Sequence, residues 1–121
     1  MELERLTLEL SVCKLKSAAE AGLCGGFFFL GKTDREVSLV CPAGEVPPGA
    51  IAREDGWRAF RVRGTLDFSL IGVLARLSGI LAENGIGIFV VSTFDTDYIL
   101  VRDEDFDRAA LALEKGGYAV A

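Results

Sequence analysis

Histidine is absent from this chain of 121 residues, and cysteine and proline occur only three times each. Without imidazole the commonest general base and a common metal ligand are gone, so serine-histidine and cysteine-histidine catalysis are excluded. Cys13, Cys24 and Cys41 are odd in number and form no Cys-x-x-Cys pair of the kind that holds zinc or exchanges thiols. They read as reduced, mostly buried thiols. No apolar run approaches the ~20 residues of a membrane span, and Met1-Glu-Leu-Glu-Arg lacks the basic opening and apolar stretch of a secretion signal. A cytoplasmic protein is expected. Basic residues are outnumbered 13 to 18, a net charge of −5 that does not suit phosphate backbones or anionic lipid. Neither nucleic acid nor a membrane is expected as a partner.

What is present is apolar sequence in short periodic pieces, half of all residues being hydrophobic. That is enough for one compact domain or two small modules without staples. From Leu6 the chain alternates, Leu6, Leu8, Leu10 and Val12 against Thr7, Glu9 and Ser11, which predicts a strand to about Leu15. Ser17 to Gly22 predicts one or two helical turns. Phe27 to Leu30 and Val37 to Cys41 predict two strands around a bend at Gly31 to Glu36. Pro42, Pro47 and Pro48 then leave little regular structure, and this stretch marks the expected boundary between units 1–56 and 57–121.

Trp57 to Arg63 predicts a new strand, and Leu70, Val73, Leu74, Leu77, Ile80 and Leu81 recur at helical spacing up to a glycine stop at Gly85. Two apolar runs follow in GIFVVSTFDTDYILV, residues 87–101. Asp103 is expected to cap a second helix with Phe106, Ala109, Ala110 and Leu113 on one side, ending at Gly116-Gly117, and Tyr118 to Ala121 closes as a strand. The second half thus reads strand, helix, strand, strand, helix, strand, the α+β ferredoxin-like order. The first half reads as an abbreviated copy. At an offset of 61, Gly26, Phe28, Asp34, Leu39 and Val40 match Gly87, Phe89, Asp95, Leu100 and Val101, five identities in sixteen positions where composition alone gives about one.

The polar bend Ser92-Thr-Phe-Asp-Thr-Asp97 carries the functional question. A calcium loop is excluded, because the template's fifth, sixth and twelfth positions hold Ile99, Leu100 and Phe106. Asp95 suffices to make a turn, which leaves Thr93 and Asp97 unexplained. The first residues of the main helix offer amides and a positive dipole end to a carboxylate. Thr93 could then donate or accept, and Asp97 could take an ammonium group, so that the two elements together describe a zwitterion seat. The competing reading is structural: Asp67 or Ser69 caps the helix, and Gly72 only lets it approach the sheet. Arg58, Arg61 and Arg63 read as the solvated face of a strand, and Asp103, Glu104, Asp105 and Asp107 as an acidic helix start. Neither group supports chemistry, and no metal or cofactor is called for.

GTLDFSLIGVLARLSGILAENGIGIFVVSTFDTDYILV, Gly64 to Val101, resembles an ACT domain, and specifically the small family similar to the arginine-sensing ACT proteins of animal cells. GGFFFLGKTDREVSLVCP and VPPGAIAREDGWRAFRV extend the resemblance upstream as two tandem ACT-like units, the first abbreviated. The resemblance implies a regulatory protein without catalytic activity, which binds an amino acid or similar effector at an interface and signals to a separate partner. It places the ligand zone on Ser69, Leu70, Ile71 and Gly72 and on Thr93, Phe94 and Asp97. Lys32 and Arg35 break the polar pattern in the first unit. A homodimer is expected. Two rivals are a structural module that pairs through its sheet edge and binds nothing small, and an RNA-recognition module, against which the acidic balance weighs.

Overall fold

The computed structural model describes residues 2–63 and 72–121, with the backbone alone at Leu23. Two compact units divide the chain, one made of residues 1–7 with 58–121 and the other of residues 8–57. This corrects the expected partition at 56, because the first seven residues belong with the C-terminal part.

The reason lies in strand pairing. Of the expected strand from Leu6 to Leu15 only Leu10–Leu15 is extended, as β2, and a separate strand that the alternation does not mark, β1 (Glu2–Arg5), precedes it. β1 pairs antiparallel with the second half of β5 (Ala52–Val62), Leu3 facing Val62, and parallel with β8 (Ala119–Val120). Leu3 is thereby fully buried. The larger unit adds β6 (Phe89–Ser92) and β7 (Asp97–Arg102), β7 lying between β6 and β5.

Two helices cover this sheet, α1 (Val73–Glu83) and α2 (Phe106–Lys115). Leu77 and Leu81 of α1 and Phe106, Ala109, Ala110 and Leu113 of α2 pack on Leu3, Phe60, Val62, Ile99 and Val101. Phe60 and Phe106 stack with ring centroids 4.7 Å apart. Burial of each such leucine or phenylalanine stabilises the fold by about 1.5–3 kcal/mol.

Both helices end in the same way. Gly85 (φ 70°) and Gly117 (φ 100°) take the left-handed conformation that side chains resist. Behind them Ile86 N–H bonds Leu81 O at 3.0 Å and Tyr118 N–H bonds Leu113 O at 3.1 Å. The helices also cap each other: Arg76 of α1 donates to Gly116 O at 2.7 Å, and Arg108 of α2 donates to Asn84 O at 2.5 Å.

The smaller unit has β2, β3 (Phe29–Lys32), β4 (Val37–Pro42) and the first half of β5, in the order β3-β4-β2-β5. A 3₁₀ helix of two turns, Ala18–Leu23, stands where the sequence predicts one or two helical turns. Ser17 and Glu20 fix its start in a reciprocal capping box. Its core is small: Cys13, Leu15, Ala21, Leu39 and Cys41. Where β2 meets β5 the register slips, so that Asp55 and Gly56 together face Ser11. The hydroxyl of the fully buried Ser11 donates to the Asp55 carboxylate, which Arg53 holds from the other side at 2.8 Å. Those two bonds, Ser11 first, hold the Asp55 carboxyl below its ordinary value.

Candidate functional site

The β6–β7 hairpin is set by its register, Phe89 facing Leu100 and Ser92 facing Asp97. Side chains alternate, so Ile99 and Val101 enter the helix-covered core and the bend 93–96 is left outside the ladder.

Thr93, and not Asp95, closes that bend. Its N–H bonds Thr96 O at 2.8 Å, and its hydroxyl donates to the same oxygen at 2.9 Å. Thr96 is only 8% exposed, and its hydroxyl donates to Val62 O of β5 at 2.7 Å, which ties the bend to the sheet. Among the described residues no hydrogen bond reaches the exposed Asp95 carboxylate. Threonine thus makes the turn that aspartate is expected to make.

Phe94 stands at the tip, 82% exposed. Asp97 is half-buried at the first position of β7, and no hydrogen bond or ion pair to its carboxylate is seen among the described residues. Thr93, Phe94 and Asp97 thus share one hairpin end. Gly72 heads α1 with φ 83° and ψ 2°, and its carbonyl accepts the first intrahelical bond, from Arg76 N–H at 2.9 Å. As it has no side chain, it leaves the first-turn amides uncapped by its own residue. Ser69, Leu70 and Ile71, and with them Asp67, lie outside the described residues.

The smaller unit repeats the hairpin, but at an offset of 60 and not 61. Phe29 faces Val40 where Phe89 faces Leu100, and Lys32 faces Val37 where Ser92 faces Asp97. At that offset only Phe29 and Thr33 keep their identity between the two hairpins, as Phe89 and Thr93. A slip of one residue would put every side chain on the wrong face, so the five matches at 61 are coincidences of composition. Val37 here replaces Asp97, and the carboxylate has no counterpart.

Sequence reasoning also missed Arg58, which is no solvated charge. It is 23% exposed, its guanidinium carbon lies 4.2 Å above the Phe106 ring, and it bonds Asp103 and Leu6 O, each at 3.3 Å. Asp103 is correspondingly not a helix cap: residues 103–105 form a 3₁₀ turn before α2. Arg61 lies 5.4 Å from the Tyr98 ring centroid, and Arg63 pairs with Glu2 at 2.8 Å. No cluster suited to a metal ion is present among the described residues, and no described helix is long and apolar enough to cross a membrane.

Comparison with known proteins bears on the family and the fold. A family model described as ACT domain matches residues 52–115. The crystal structure of protein Atu0741 from Agobacterium tumefaciens is 35% identical, with a TM-score of 0.87, over 99% of this chain and 91% of that one. The regulatory subunit of aspartate kinase from Thermus thermophilus, in its ligand-free form, gives a TM-score of 0.70 at 10% identity over 97% of both chains. A Vibrio cholerae protein of unknown function, described as a possible transport protein, gives a TM-score of 0.76 at 19% identity over 95% of this chain and 88% of that one. At those identities the last two share the fold alone. Among curated proteins no match is found.

Proposed function

Because this chain belongs to the ACT domain family, we propose that it is a regulatory protein without catalytic activity that binds an amino acid at the head of α1 and the β6–β7 hairpin. The observation that carries the reading is Asp97, a half-buried carboxylate with no partner among the described residues. A partly desolvated anion gains most from a cation that comes with its own hydrogen bonds. An α-ammonium or a cationic side chain fits that description. The uncapped amides behind Gly72 supply the complementary seat for a carboxylate.

Resemblance to arginine-sensing ACT proteins makes arginine the first amino acid to test. The signal passes by population shift: ligand bound between two copies of the chain favours one packing and alters the surface seen by a separate partner protein. Val37 in place of Asp97 leaves the smaller unit without a second such site.

The test is thermal stability of the purified protein against the common amino acids, with Asp97→Ala beside it. A ligand at about 100 times its Kd adds about 2.7 kcal/mol, a shift of several degrees. The reading requires a shift in wild type that the variant loses. A shift that survives in the variant keeps the function and moves the site. No shift with any amino acid favours instead a module that only pairs through its sheet edge. Gel filtration that gives a strict monomer with and without ligand removes the dimer.

A further inference from the structure

All three cysteines gather in the smaller unit, although they come from separate parts of its sequence. Cys13 on β2 and Cys41 on β4 share one sheet face, since Ser11 faces Cys41 and Cys13 faces Leu39 across the ladder. Cys24 ends the 3₁₀ turn that covers this face and packs on the same core. Beyond burial, the nearby Cys13 and Cys24 thiols both raise that of Cys41. Cys24 also lies against Glu45 O, 3.9 Å from its sulfur. Cys41 is fully buried and Cys13 is 3% exposed, whereas Cys24 is partly open to solvent.

We propose that Cys24 and Cys41 form a site of reversible thiol oxidation, in which Cys24 reacts with a hydroperoxide from solvent and Cys41 then closes an intrachain disulfide. In the first step the Cys24 sulfur attacks an oxygen of the hydroperoxide. An S–O bond forms and the O–O bond breaks; the leaving oxygen departs as an alcohol, or as water from hydrogen peroxide, with the thiol proton, and Cys24 becomes a sulfenic acid. In the second, the Cys41 sulfur attacks the Cys24 sulfur. The S–S bond forms, the S–O bond breaks, and hydroxide leaves as water with the Cys41 proton. Two electrons have passed from the two thiols to the peroxide, and a dithiol reductant returns them by exchange.

The order of events follows from burial. Desolvation pushes the Cys41 thiol up to about 12 and raises that of Cys13 as well, so neither supplies thiolate to a solvent oxidant at neutral pH. Because Cys24 packs against the core that holds Cys41, Cys41 reacts as a neighbour instead. The product bond ties the segment that leads into β3 to strand β4, the two sides of the hairpin that matches β6–β7.

The experiment treats the intact protein with a small excess of hydrogen peroxide, then counts free thiols after denaturation and maps linked peptides by mass. Wild type is expected to fall from three thiols to one, with Cys24 linked to Cys41, and dithiothreitol restores all three. Cys13→Ala falls from two to none, and Cys24→Ser keeps both of its thiols. Three thiols retained in wild type, a linkage between two chains, or loss of both thiols in Cys24→Ser at the wild-type rate would each overturn the proposal. The wild-type map stands whether or not a variant folds.

Discussion

Thr33 and Thr93 make the same turn in two hairpins: each N–H bonds the carbonyl three residues on, Glu36 O at 2.9 Å and Thr96 O at 2.8 Å, and each hydroxyl turns back to that oxygen. A side chain that donates and accepts within its own turn fixes the bend without asking for any particular residue at the tip. The tips are accordingly free to differ, Asp34-Arg35 in one and Phe94-Asp95 in the other.

Position 96 is a different matter, because its hydroxyl reaches the sheet. Thr96→Val keeps the shape and strands the Val62 carbonyl, and is expected to cost about 1–3 kcal/mol. Thr93→Val, in an exposed bend whose backbone bond survives, is expected to cost less than about 1 kcal/mol. Denaturant titration of both variants checks the ranking; equal losses would show that the bond to Val62 contributes nothing special.

The exchanged arginine caps give a second expectation. Arg76→Met and Arg108→Met each free one helix-end carbonyl while they keep most of the apolar stem, at about 0.5–1.5 kcal/mol apiece. The loss at Arg76 should be the larger, since its guanidinium also lies 5.2 Å from the Tyr118 ring centroid. Thermal midpoints of the two single variants decide it.

Gly116 is held by space and not by dihedral angle. A Cβ there would come within 2.6 Å of Ile80 Cδ1. That methyl ends a partly exposed side chain that can rotate away, so Gly116→Ala is expected to destabilise by less than about 1 kcal/mol, and Ile80→Val, which removes the methyl, should recover the loss in the double variant. A double variant no better than the sum of the singles would place the strain elsewhere.

Alkaline stability should depend on the thiols. Burial keeps Cys41 protonated up to about pH 12, whereas in the unfolded chain it ionises near its ordinary 9.0. Between those values the unfolded chain binds fewer protons than the native one, so stability is complete below pH 9 and declines as pH rises toward 12. Melting curves of wild type and Cys41→Ala across that range should converge with rising pH, and parallel curves would refute the effect.

Much of the larger unit is legible in sequence, because its signals are local. The helical stripe through Leu77 and Leu81, the stop at Gly85 and the return strands around the bend all depend on residues within a few positions of one another. The errors come where the deciding partner is remote. Nothing near Leu6 announces that residues 2–5 pair with 60–62 and with 119–120. The offset of 61 counted identities, whereas the ladder obeys alternation, and alternation requires 60. Arg58 looked solvated because Phe106 and Asp103, which hold it, lie more than forty residues away. The gathering of Cys13, Cys24 and Cys41 could not be read from spacing for the same reason. Of the proposed ligand zone, the hairpin half is marked in sequence by its unusual polar residues, although which threonine or aspartate makes the turn requires coordinates.

The assignment of residues 1–7 to the larger unit also sets an order of assembly. The smaller unit has all its strands once residue 57 has been synthesised. The larger one waits for β8, near residue 120, to complete its parallel pair with β1, which is made long before it. During synthesis β1, with the apolar Leu3 in it, must therefore remain unpaired on that side until β8 has been made. The other three residues of that strand, Glu2, Glu4 and Arg5, are charged and well suited to keep it from pairing with another chain in the meantime.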